Sequence, residues 1–104
     1  MDYLTIVQTT FERQDEAMDA ARKIIAARRA ACVQVHGPVQ SVYHWDGEVR
    51  TATEYVLTAK APPPQAEALR AWIAEHHSYD TPEILSVDAR ANPAYAQWAK
   101  RVCA

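Results

Sequence analysis

Residues 48–60 alternate in polarity over thirteen positions, and Asp46-Gly47 stands directly before them. An Asp-Gly pair readily takes positive φ at both central positions of a type I′ turn, so it closes a hairpin with this long strand as its second arm. Val49, Thr51, Thr53, Tyr55 and Leu57 point to one side, and Arg50, Ala52, Glu54 and Val56 to the other. Ahead of the turn, residues 32–35 place Val33 and Val35 on one face and Cys32 and Gln34 on the other. Extension resumes over residues 39–45, which predicts one strand bent at Gly37-Pro38. A hairpin this long runs past what the sheet of a 104-residue chain can cover by itself.

The other segments complete a familiar alternation. Residues 4–10 (LTIVQTT) have the β-branched composition of a half-buried strand. Residues 15–29 read as a helix, with Asp15, Glu16 and Asp19 at its front and Arg22, Lys23, Arg28 and Arg29 at its rear, opposing the macrodipole. Ala17, Ala21, Ile24 and Ala27, with Met18 and Ile25, form its apolar stripe. Pro62-Pro63-Pro64 starts a second helix over residues 64–77, whose inner face is Leu69, Trp72, Ile73 and His76. Residues 83–87 (EILSV) form a last strand, and residues 93–101 a short helix carrying Tyr95 and Trp98. The order β-α-β-β-α-β, in one domain over residues 1–104, is the ferredoxin-like α+β plan: a four-stranded antiparallel sheet with both helices on one face. The opposite face is left open, and residues such as Tyr43, Trp45, Tyr55 and Val56 on the long hairpin are too apolar for water across both faces, so a homo-oligomer is expected.

Several functional classes are excluded by what is missing. Eleven basic residues against thirteen acidic ones give a net charge of −2, without the basic excess of a nucleic-acid or anionic-membrane partner. No stretch reaches the ~18 apolar residues of a membrane span, and the N-terminus lacks the pattern of a secretory leader, so a cytoplasmic setting with reduced thiols is expected. Cys32 and Cys103 form no CxxC pair. Gly37 and Gly47 are the only glycines, which removes any phosphate-binding loop. With no ordered nucleophile and base, the chain reads as a non-enzyme.

His76 and His77 are the sharpest candidates for chemistry, because imidazole nitrogen suits Cu(II) and Zn(II). Adjacent helical side chains diverge by ~100°, whereas ligands sharing a metal from one helix stand three or four apart. A shared ion therefore requires the helix to end between them and a third ligand from elsewhere, such as another subunit. The alternative is structural, with His76 continuing the buried stripe and His77 capping the last carbonyls. Cys32 is either a small buried hydrophobe or a soft ligand, and Cys103 is expected to be exposed.

Four motifs then resemble one family. Residues 30–35 (AACVQV), 41–49 (SVYHWDGEV), 76–84 (HHSYDTPEI) and 95–98 (YAQW), with Glu54 and Lys60 between them, are similar in order and spacing to the CutA proteins, called divalent-ion tolerance proteins. The resemblance implies a ferredoxin-like subunit in a tight homotrimer, kinship in architecture with the PII signalling proteins, and a link to copper and other divalent cations. It also implies that Tyr43, Trp45, Glu54, Lys60, Tyr79 and Glu83 gather near clefts between subunits, where charge and aromatic walls suit a small anion or nucleotide. The bland reading of that group is an interfacial network with Glu and Lys paired. Thr9 stands where some members carry a Cys proposed as a soft copper ligand. Two functions follow: a trimeric tolerance protein that binds Cu(II) or a similar ion through His76 and His77, or a PII-like sensor or scaffold that holds a small ligand or partner protein in its clefts.

Overall fold

The computed structural model describes residues 2–103. Strand β1 (Tyr3–Phe11) leads into helix α1 (Gln14–Ala26), followed by the strands β2 (Cys32–Trp45) and β3 (Glu48–Ala61). A 3-10 turn (Pro63–Gln65) opens helix α2 (Ala66–His76), and β4 (Leu85–Arg90) and helix α3 (Pro93–Val102) close the chain. The sheet order is β2-β3-β1-β4 with every pairing antiparallel, the arrangement of the split βαβ plan. Asp46 and Gly47 both take positive φ (52° and 76°), as a type I′ turn requires. The pairing of β2 with β3 slips once, between His36 and Val39, so the Gly37-Pro38 bend is a bulge inside one strand.

The core lies on one face of the sheet. Val7, Phe11, Leu57, Ala59 and Ala61 alternate inward and meet Ala17, Ala20, Ala21 and Ile24 of α1 and Leu69 and Ile73 of α2. Alanine on both surfaces lets helix and sheet approach closely. Helix α1 stops at Ala26 rather than Arg29. Arg28 turns left-handed (φ 57°), its N–H reaching Ile25 O at 3.0 Å while the Arg29 N–H reaches Ile24 O at 3.1 Å. Those two bonds form a Schellman end with arginine at the position glycine favours, so Arg28 and Arg29 lie beyond the helix they were expected to close.

The opposite face is only partly open, because α3 returns to cover one end of it. Ala96 and Ala99 are fully buried, and the Tyr95 hydroxyl lies beside the Cys32 thiol, on the side of β2 away from Val33. The far end has no such cover. Pairing of β1 with β3 stops at Phe11–Tyr55, so beyond that point β2 and β3 continue as a two-stranded arm of roughly 20 Å. Val42, Tyr43, Trp45 and Val49 on this arm are 42–68% exposed. The arm accounts for the elongated 45 × 25 × 22 Å shape.

Candidate metal and ligand site

Helix α2 ends between the two histidines. His76 is its last residue, while His77 is extended at φ −82°, ψ 142°. The His76 ring stacks on Trp72, one turn back, at 4.2 Å, and its Nδ1 lies 2.8 Å from Trp72 O. A carbonyl only accepts, so Nδ1 carries the proton and the neutral ring presents the Nε2 lone pair. The side chain is exposed, not part of the buried stripe. It is His76, rather than His77, that caps a late helix carbonyl.

His77 turns the other way. Its ring lies flat against Phe11 at 4.3 Å and tilts against Tyr79 at 5.0 Å. Nε2 donates to Thr10 O at 2.9 Å with the Thr9 hydroxyl 3.1 Å away, and Nδ1 accepts the Tyr79 N–H at 3.1 Å. Both nitrogens are engaged, so this geometry leaves no lone pair for a metal. Burial holds the His77 pKa below its ordinary value, against the pull of the Thr10 carbonyl and of Glu16 and Glu54. The two imidazoles therefore do not converge, and among the described residues no group of three His, Cys, Asp or Glu side chains gathers to hold an ion.

The second set of residues is strung along the hairpin. Tyr79 donates its hydroxyl to Glu54 Oε2 at 2.9 Å, and burial followed by this bond pushes the phenol pKa up, with Glu12 and Tyr43 adding to the effect. Trp45 sits at the tip opposite Glu48, about 20 Å from Glu54, and Lys60 lies a similar distance the other way, between Cys32 and Ile6. Within one chain, then, Glu54 and Lys60 do not pair. Glu83 precedes β4 and accepts Gln8 Nε2 at 3.2 Å. Cys32 is half-buried beside Tyr95, and Cys103 is half-buried rather than exposed, its thiol pKa raised by burial. Sequence reasoning missed Thr9, Thr10 and Phe11 as the seat of His77. Their only local signal is the inward alternation of Thr9 and Phe11 at the end of β1.

Known proteins match this chain along nearly its whole length. The model of the family described as CutA1 divalent ion tolerance protein covers residues 5–102. "Protein CutA 1, chloroplastic" of Oryza sativa subsp. japonica is 31% identical over 96 residues, which are 91% of this chain and 54% of that protein. The chain thus spans about half the length of the rice relative. "Divalent-cation tolerance protein CutA" of Yersinia pestis is 30% identical over 94 residues, 89% of this chain and 79% of that protein. The structure of CutA from Synechococcus elongatus superposes with a TM-score of 0.93 at 31% identity, covering 100% of this chain and 93% of that one. With the family model matching residues 5–102 and the fold matched as well, the chain belongs to the CutA1 divalent ion tolerance family.

Proposed function

We propose that this protein serves divalent-cation tolerance by binding Cu(II), or a similar borderline ion, at His76 in a homotrimer. The carrying observation is the His76 ring: the residue is exposed and its Nδ1 is spent on the Trp72 carbonyl, which leaves Nε2 for a ligand. An imidazole whose other nitrogen donates to a backbone carbonyl is the usual state of a metal-binding histidine, oriented by that bond. The remaining ligands would come from water or another subunit. His77 would join only by giving up the Tyr79 N–H. The role is binding rather than catalysis, in a cytoplasmic setting. The rice relative's name places that protein in a chloroplast, and no helix among the described residues is long and apolar enough to cross a membrane.

Support for an assembly comes from the arm. A two-stranded ribbon is marginal in water alone, and this one exposes Val42, Trp45 and Val49 at 50–68%. A neighbour that covers these side chains would also bring Trp45 of one subunit toward residues of the next. A second reading, a PII-like cleft, is favoured by one contact, the half-buried Tyr79–Glu54 bond with Tyr43 alongside. The two readings separate in a calorimetric Cu(II) titration of metal-free protein. Saturable binding that disappears in His76→Ala supports the metal role, whereas binding unchanged in that variant, or none in wild type, turns the search to the cleft.

A further inference from the structure

On the helix-bearing face, between the start of α2 and the edge strand β4, lies an open cleft of about 270 Å³ whose lining includes Thr5, Pro63, Ala66, Arg70, Ser86 and Asp88. It is slightly below the ~300–1,000 Å³ of sites for drug-sized ligands, so its scale is that of a small metabolite. One charge of each sign enters it. Arg70 reaches across from α2, donating from Nη1 to Ser86 Oγ at 2.9 Å and from Nη2 to Glu67. Asp88 enters from β4, and its Oδ1 accepts the Thr5 hydroxyl at 2.6 Å. Among the described residues Asp88 forms no ion pair. Ser86 stands two residues from Asp88 on the same strand face, roughly 6.6 Å away, and anchors the guanidinium at that remove.

Two fixed charges of opposite sign that line one cleft without meeting suit a ligand that carries both charges close together. A pure anion there would face Asp88, and a pure cation would face Arg70. We propose that this cleft binds a small zwitterion of the α-amino acid class, its carboxylate on the remaining N–H groups of Arg70 and its ammonium on Asp88. The Ser86 and Thr5 hydroxyls flank these contacts, and Pro63 and Ala66 give a small side chain an apolar wall. The site is independent of His76, which lies six residues along α2, roughly 9 Å away.

The test is calorimetry and thermal shift on the full chain in its native assembly, with a panel of the standard L-amino acids and with acetate and methylammonium as single-charge controls. Saturable binding of at least one amino acid is expected, with each control about tenfold weaker or worse. Arg70→Gln and Asp88→Asn should each weaken that binding about tenfold or more, as the loss of a charged hydrogen bond implies. Asparagine keeps an acceptor for Thr5, and selectivity on the wild type alone decides the matter if either variant folds poorly. No binding by any amino acid at tens of millimolar, equal binding of the controls, or binding that survives both substitutions would overturn the proposal.

Discussion

At the end of α2 two backbone carbonyls sort the histidines: Trp72 O takes Nδ1–H of His76, and Thr10 O takes Nε2–H of His77. The neutral rings are therefore opposite tautomers, one open to a ligand and one closed. Since burial lowers the folded pKa of His77 from 6.5, the unfolded chain holds more protons between the two values, and stability rises with pH across that window. Protonation of Nδ1 also removes the acceptor for the Tyr79 N–H. Lowering the pH from about 7.5 to about 5.5 should reduce the urea midpoint more in wild type than in His77→Ala, and equal reductions would contradict the assignment. Arg28 makes a second prediction at this scale. Its left-handed backbone costs roughly 1–2 kcal/mol, and glycine there adds ~0.4–1 kcal/mol of unfolded-chain entropy. Arg28→Gly should therefore stabilise the fold by about 0.5–1 kcal/mol in chemical denaturation; a destabilised variant would mean that the Arg28 side chain contributes more than its backbone costs.

At the scale of elements, the period-2 pattern and the Asp46-Gly47 turn made β2 and β3 legible, because a hairpin is specified by local chemistry. Helix ends were less so. The charges of Arg28 and Arg29 suit a helix terminus, but nothing in the pattern marks where the chain turns left-handed. Strand β4 begins at Leu85, two residues later than its apolar run suggests, because only from there does it pair with Gln8 of β1. The cover supplied by α3 was also hidden, since short alanine positions such as Ala96 and Ala99 give no strong apolar stripe. Gly37 at the bulge tests the bent-strand reading. A Cβ there would stand 2.8 Å from Tyr55 Cδ1 and 2.9 Å from Glu54 O, at a φ of +150°. Gly37→Ala should cost about 1–3 kcal/mol, measured by denaturant unfolding, and a neutral substitution would mean the bulge rearranges freely.

The whole molecule is a compact sheet-and-helix body with an arm it does not cover. The type and adjacency of His76 and His77 were legible in the chain, but the helix was expected to run through residue 77, and its end at His76 was foreseen only as the condition for a shared ion. Their partners were not legible, because Thr9, Thr10 and Phe11 lie more than sixty residues away and reach His77 only through the tertiary fold. If subunits bury the arm, replacing Val42, Trp45 and Val49 together with Ser should shift sedimentation equilibrium toward monomer, since exposed apolar area drives such contacts; an unchanged assembly would place the interface elsewhere. The central claim is that His76, and not His77, presents the open nitrogen. Nitrogen-15 spectra of the histidine side chains, recorded during titration with diamagnetic Zn(II) as a stand-in for copper, address it directly. The account predicts an Nδ1–H tautomer for His76, an Nε2–H tautomer for His77, and a zinc-dependent shift at His76 Nε2 with His77 unmoved. Matching tautomers, or a shift at His77 in place of His76, would contradict it.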